Sequence, residues 1–178
     1  MLDYGLPVLP LAACLKEDVC EALHRSGLAE LPEDIILKHK PDMRGLLQDW
    51  GKLFRKLNGE DYWIDKLFSY AHQHHHRYFI VDDLRFRNEF DAMRARHFLT
   101  VRLDISWPTQ ESRLAKLYPD TPLSQLQHAS EIELDSLAGE FDILVPAATI
   151  KNGKTAAFVR DRLRHFDLAW VKPDILES

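Results

Sequence analysis

The chain has 178 residues, of which 46% are hydrophobic and 29% are charged, and this is the size and composition of one ordinary globular domain. Its formal charge of −5 argues against broad binding to nucleic acids or to anionic membranes. No apolar run approaches the roughly 18 residues that a membrane-spanning helix needs, and the N-terminus lacks the basic start of a signal peptide. The two cysteines, Cys14 and Cys20, fit neither a disulfide framework nor a common zinc pattern, so we expect reduced thiols in a cytoplasmic protein.

Short apolar segments alternate with amphipathic helices along the chain. An edge strand is predicted at residues 6–11, and further strands at 78–81, 98–105 and 141–145. Helices are predicted from their apolar spacing at residues 15–23, 46–57, 61–71, 88–97, 109–118 and 155–166. Loops are predicted at residues 26–42 and 119–130. This alternation predicts a layered α/β fold with a mostly parallel sheet, in which 78–82 is a central strand buried on both faces.

The segment VDDLRFRNE, residues 81–89, begins where the strongest predicted strand ends, which is the usual place for a binding site in an open α/β sheet. The carboxylates of Asp82 and Asp83 could hold Mg²⁺ or accept a proton there. Arg85 could bind a phosphate group with both arms of its guanidinium. A structural interpretation stays open, in which this segment only forms a helix cap and an ion pair through Asp83, Asn88, Arg85 and Glu89.

Two other regions could contribute to a binding site. Gln48 and Arg55 fall off the apolar stripe of the helix at 46–57 and could face a cleft, whereas the spacing of apolar residues places Trp50 in the core. The polar segment that contains residues 128–131 is preceded by Arg113 and Lys116, so it could be a lid that closes over phosphates. A plain surface loop is the alternative.

Two further patterns resemble sites, but the residues do not favour that interpretation. The clustered histidines at 72–76 point in different directions at a helix end, and no cysteine or carboxylate completes a ligand set, so we predict no metal site there. Residues 148–155 match the phosphate-loop pattern [AG]-x4-G-K-[ST] between a predicted strand and a predicted helix. With one glycine and the β-branched pair Thr149-Ile150, this segment suits a nest of backbone N–H groups poorly.

Several of these stretches, taken in order, resemble a known family. They are GLLQDWG at 45–51, Arg55, DYWI at 61–64, VDDLRFRNE at 81–89, HASE at 128–131 and IKNG at 150–153. Over nearly its whole length the chain is similar to the deoxynucleoside monophosphate kinases of bacteriophages and their P-loop relatives, which include animal-type phosphomevalonate kinase. The D-x-R-F-x-N-E stretch is the most specific part of the likeness.

The resemblance implies a P-loop kinase-like, three-layer α/β fold, formed by residues 1–178 as a single domain with a lid-like segment at about 106–131. It implies transfer of the γ-phosphoryl group of ATP to a (deoxy)nucleoside monophosphate, with Mg²⁺. By the family pattern, the catalytic residues would be Asp82, Asp83 and Arg85. The acceptor would be bound by Gln48, Arg55, Trp63, Arg85, Glu89, Arg113, His128, Ser130 and Glu131. The base of ATP would lie near Asn152 and Gly153.

The likeness departs from the family at its start. The family opens with a strand, a G-x-x-x-x-G-K-[ST] loop and a helix that hold the phosphates of ATP and Mg²⁺. This sequence begins just after the position of that unit, so we expect the chain as given to bind ATP poorly. An upstream start of the reading frame, a truncated non-catalytic binding protein and a kinase for another phosphorylated small molecule all stay open. A missing first strand would leave a bare strand edge, which favours a homodimer.

Overall fold

The computed structural model describes residues 6–27, 40–117, 133–151 and 153–166. The chain divides into two compact units, of which the first is Leu6–Leu84 and the second begins at Arg85. None of the described helices is both long enough and apolar enough to cross a membrane.

Three helices of the first unit are described: α1 (Leu11–Arg25), α2 (Lys40–Asn58) and α3 (Tyr62–Gln73). They pack against one another because each presents apolar side chains at helical spacing. The buried side chains of α1 and α3 are those of Leu11, Cys14, Val19, Cys20, Trp63, Ile64, Leu67 and Ala71. They confirm the apolar face that the sequence predicts for α3. In α1 the predicted face is confirmed only in part, because Val19 is buried while Leu15 and Leu23 are partly buried beside it.

An ion pair between Asp18 and Lys66 links α1 to α3 beside this core. Burial of the Lys66 ammonium lowers its pKa, but the hydrogen bond and the negative charge of Asp18 raise it more, so the pKa of Lys66 lies above its usual value. Lys66 therefore stays charged at neutral pH. The Lys66 ammonium also lies 5.6 Å from the ring centre of Tyr62 and 5.8 Å from that of Trp63, which favours the same position.

Residues 78–82 do not form the central buried strand that the sequence predicts. Tyr78 lies in a bend, and the one bridge that these residues make within the described part of the chain is a parallel bridge between Val8 and Ile80. Two backbone hydrogen bonds of Ile80, at 2.8 and 2.9 Å, hold it. Tyr78 and Ile80 are each 39% exposed. The prediction of a central buried strand at 78–82 was therefore wrong. An apolar run shows that a segment can be buried, but whether it is buried depends on the strands and helices that pack against it.

The second unit contains a two-stranded parallel sheet surrounded by helices. Its strands are β1 (Val101–Leu103) and β2 (Ile143–Val145), with Val101 opposite Ile143 and Leu103 opposite Val145. The described helices are α4 (Arg87–Ala95), α5 (Trp107–Leu117), a 3-10 helix (Glu133–Glu140), α6 (Ala147–Lys151) and α7 (Thr155–Leu163). This mixed, helix-rich architecture with a small parallel sheet is compatible with the α/β class.

The start of the sheet is held by side-chain hydrogen bonds between Thr100 and Asp142. The Asp142 carboxylate accepts from the Thr100 N–H at 2.8 Å and from its hydroxyl at 2.7 Å. The Asp142 N–H donates to the same hydroxyl at 3.1 Å. Beyond this pair, Ile143 and Val145 are buried against Leu163 of α7, so the second strand is the one that the core covers.

The strands of the second unit are shorter than the sequence predicts. The structure has three residues in place of 98–105 and three in place of 141–145, because residues at both ends turn toward helices after few ladder bonds. The 3-10 helix and α6 were not predicted. The loop predicted at 119–130 lies outside the described residues.

Candidate functional site

The adjacent acids Asp82 and Asp83 have different surroundings. The Asp83 carboxylate accepts hydrogen bonds from the N–H groups of Leu11, at 2.8 Å, and Ala12, at 2.9 Å, which are the first two residues of α1. The N-cap residue of α1, Pro10, provides no side-chain cap, so Asp83 satisfies these amides and places a negative charge at the positive end of the helix. Asp82 is exposed. The helix-cap interpretation thus holds for Asp83, although the capped helix is α1 and not the next one.

The beginning of α4 is organised by Glu89. Its carboxylate is buried and accepts hydrogen bonds from the N–H groups of Arg85, at 2.7 Å, and Phe86, at 3.1 Å. A carboxylate at the third helical position that binds the N-cap backbone is half of a capping box. Glu89 therefore fixes the backbone here, while the side chain of Arg85 is exposed at its surface.

Two arginines, Arg87 and Arg102, bind carboxylates of the 3-10 helix. The Arg87 guanidinium bonds to Asp91 at 2.8 Å and to Glu140 at 3.1 Å. From β1, Arg102 donates to Asp135 at 2.5 Å. Arg87 and Arg102 thus form ion pairs within the second unit.

The three acceptor-site residues predicted in the first unit separate into two environments. Gln48 is exposed on α2, and Arg55, on the same side of this helix, is largely buried, with its guanidinium 3.9 Å from the carboxylate of Glu60. Trp63 is buried in the core, and its indole N–H donates to the Gly51 carbonyl at 3.2 Å. The structure thus brings Gln48 and Arg55 onto one face of a helix and gives Trp63 a packing role.

The aromatic rings of Trp50, Phe54 and Tyr62 form a cluster in the first unit. The Trp50 ring stacks on Phe54, with 5.2 Å between ring centres, and Phe54 lies 5.5 Å from Tyr62. The Trp50 indole N–H is buried and has no hydrogen-bond partner in the part of the chain that the structure describes. A buried donor of this kind is one that an acceptor atom of a ligand can satisfy. Helical spacing alone assigns Trp50 to the core, so the sequence carries no signal for this.

Of the residues predicted to form the lid or to lie near the base of ATP, the structure describes Arg113 and Gly153. Arg113 is exposed on α5. Gly153 links α6 to α7 with φ 68°, a left-handed conformation that favours glycine. Outside the described residues lie His128, Ser130, Glu131 and Asn152, so the roles predicted for them stay predictions.

Within the range 148–155, which matches the phosphate-loop pattern, the described residues include the end of α6 at Lys151 and the start of α7 at Thr155. The N–H groups of Thr149, Gly153 and Lys154 donate to carbonyls of the same turn at 2.9 to 3.1 Å. A phosphate loop needs such N–H groups directed at the ligand. The geometry therefore supports leaving this segment out of the phosphate site.

Neither a search for metal ligands nor a comparison with known proteins assigns a function to the chain. No three His, Cys, Asp or Glu side chains within the described ranges are grouped as metal ligands would be. Neither a protein-family model, nor a curated protein, nor a solved structure matches the sequence or the fold. The case for a function is therefore argued from the residues and contacts above.

Proposed function

We propose that this chain binds a (deoxy)nucleoside monophosphate and takes part in transferring the γ-phosphoryl group of ATP to it, with Mg²⁺ bound to the ATP. The observation that carries the proposal is the start of α4. There the buried carboxylate of Glu89 binds the N–H groups of Arg85 and Phe86, and the Arg85 side chain is exposed on this fixed backbone. A planar guanidinium so placed suits bidentate binding of a phosphate.

The side chain, rather than the helix terminus, is the group that would hold the phosphate. Three successive N–H groups at the start of α4, those of Arg85, Phe86 and Arg87, already donate to Glu89 and Glu133. An anion could not replace these bonds without leaving a buried carboxylate unsatisfied. In transfer, the Arg85 guanidinium would neutralise charge on the phosphoryl group as it moves.

The first unit, taken by itself, carries groups of the types that this chemistry uses. Because Asp83 is bonded to α1, the exposed carboxylate of Asp82 is the better candidate of the two to bind Mg²⁺ through water. Gln48 and Arg55, which share a face of α2, carry an amide and a guanidinium, which are groups that can bind a base or a phosphate.

A second candidate function is acceptor binding without transfer. It is favoured by the N–H groups of Thr149, Gly153 and Lys154, which donate to carbonyls of the chain and are therefore not directed at the phosphates of ATP. The chemistry at Arg85 would then serve recognition alone. A different phosphorylated small molecule would use the same guanidinium and differ only in the rest of the acceptor site.

The test combines binding with turnover on the 178-residue chain. Calorimetry with each deoxynucleoside monophosphate should detect binding, and a coupled assay of ADP release with ATP and Mg²⁺ shows whether transfer follows. Where transfer occurs, Arg85→Ala should lower kcat/KM by about 10² to 10⁴, and Arg85→Lys should recover little of it. Arg96→Ala is the matched control, because its guanidinium donates to the Ala92 carbonyl at 3.2 Å at the far end of α4; it should stay within about twofold.

The outcomes separate the alternatives. Binding without ADP release would favour the second candidate. A lack of binding for every monophosphate, or an Arg85→Ala variant that is folded by circular dichroism and binds as tightly as the original chain, would refute the phosphate site at the start of α4.

A further inference from the structure

Helix α2 carries three exposed leucines outside the face that packs against α1. Leu46, Leu53 and Leu57 are 39%, 48% and 69% exposed. At about 100° per residue, the three fall within an arc of about 40°, next to the face on which Leu47 and Trp50 pack against α1. We call these three residues the leucine stripe. Leucines at i, i+7 and i+11 are typical of a helix that packs against a second helix.

Two opposite charges flank the stripe on its solvent side. Asp49 and Lys56 are both exposed, and neither makes an ion pair with a residue that the structure describes. They are seven residues apart, about 10 Å along the helix, and about 20° apart around it. A surface that carries both charges beside an apolar stripe can complement itself.

We propose that the leucine stripe is the interface of a homodimer in which α2 packs antiparallel against α2 of a second copy. A two-fold axis that passes between the two helices, perpendicular to both and level with residue 52, places Leu46 against Leu57 of the second copy. The same axis places Asp49 against Lys56 of the second copy and brings Leu53 close to its own equivalent. An isologous interface must match itself under such an axis, and all five positions do.

The position of the stripe makes this dimer independent of the proposed function. Gln48 and Arg55 lie on roughly the opposite side of α2, again at about 100° per residue, so a second copy would not cover them. A 19-residue helix is about 28 Å long, and a pair of such helices buries less than a standard interface of about 800 Å² per partner. We therefore expect a dimer with a dissociation constant of about 10 to 100 μM.

Sedimentation velocity of the full chain from about 1 to 500 μM tests the proposal. The original chain should pass from monomer to dimer across this range. Leu53→Glu should remain monomeric throughout. Leu103→Glu is the matched control, because Leu103 is 51% exposed on β1 in the second unit, and it should dimerise normally.

A charge exchange tests the antiparallel register. Lys56→Glu alone faces Asp49 of the second copy and should weaken the dimer about tenfold, as should Asp49→Lys alone. The double variant with both substitutions restores the pair with exchanged signs, so its dissociation constant should return to within about threefold of the original. Because both positions are exposed, these variants remain informative even where Leu53→Glu fails to fold.

Three results would overturn the proposal. A chain that is monomeric at every concentration would mean that another partner or another part of the same chain covers the stripe. A dimer that Leu103→Glu abolishes and Leu53→Glu preserves would place the interface at the strand edge. A double charge variant as weak as the single variants would refute the antiparallel arrangement.

Discussion

Replacement of Asp83 by alanine should destabilise the first unit because its carboxylate caps a helix from a distant position in the sequence. Two N–H groups at the start of α1 donate to it, at 2.8 and 2.9 Å. Both donors precede the first intrahelical bonds, so they have no other partner within the helix. Pro10 at the N-cap cannot replace the lost acceptor with its own side chain.

The expected cost follows from these contacts. Loss of an N-cap acceptor costs about 0.5 to 2 kcal/mol, and hydrogen bonds to a charged group contribute about 1.5 to 3 kcal/mol. Asp83 is only partly buried, and water can reach the two amides once the carboxylate is removed. We therefore expect Asp83→Ala to lower the free energy of unfolding by about 2 kcal/mol. Asp83→Asn should cost about half of this, because an amide has only one acceptor oxygen for the two donors.

Urea unfolding followed by tryptophan fluorescence measures this loss in a background with Trp107→Phe and Trp170→Phe, which leaves Trp50 and Trp63 of the first unit as the reporters. With a slope of about 2 kcal/mol/M, Asp83→Ala should shift the midpoint by about 1 M. Asp82→Ala is the matched control, because its carboxylate is exposed, and it should change the free energy of unfolding by less than about 0.5 kcal/mol. Equal midpoints for Asp83→Ala and the original chain, or a larger loss for Asp82→Ala, would refute the capping argument.

Two further predictions concern the first unit. Burial, and after it the charge of Glu17, raises the pKa of the Cys14 thiol from 9.0 to about 11. In a Cys20→Ala background, alkylation of Cys14 at pH 8 should therefore be at least about 100-fold slower in the folded chain than in urea. Since the folded pKa is the higher one, the stabilisation from Cys14 is complete below pH 9 and is lost as pH rises toward about 11, a loss that Cys14→Ala should remove from a series of urea titrations. Gly45 lies within α2 with nothing within 4 Å of an added Cβ, so Gly45→Ala should raise stability by about 0.5 to 1 kcal/mol. Gly59, with φ 104°, is its control, and Gly59→Ala should lower Tm where Gly45→Ala raises it.

The helices were predictable because their signal is local. Each apolar face is written in the spacing of a few residues, and the structure has a helix wherever that spacing was found in the described ranges. The parallel α/β class was also predictable, since two short apolar strands are separated by a helix. The 3-10 helix escaped detection because its only apolar signal is Leu134 and Leu137, three residues apart, and such a short element has no second turn to confirm it.

Contacts between distant residues could not be predicted from spacing. The segment 78–82 has the apolar content of a buried strand, but it bridges only Val8 within the described residues and stays half exposed. Trp63 belongs to a motif that implied a ligand contact, yet its indole N–H bonds to the Gly51 carbonyl of α2. In both cases the decisive partner is an element whose position only the fold determines.

The segment at 81–89 illustrates how the fold assigns different tasks to residues of one type. Its sequence offers three carboxylates, and all of them could serve catalysis by chemistry alone. The structure places Asp83 and Glu89 against the N–H groups that begin α1 and α4, where each replaces a bond that the helix cannot make itself. Withdrawing either carboxylate to bind a ligand would leave amides unsatisfied, at a cost of about 1 to 3 kcal/mol each. The side chains of Asp82 and Arg85 are exposed and hold neither helix start, so they are the positions at which this segment can bind a metal ion or a phosphate without uncapping α1 or α4.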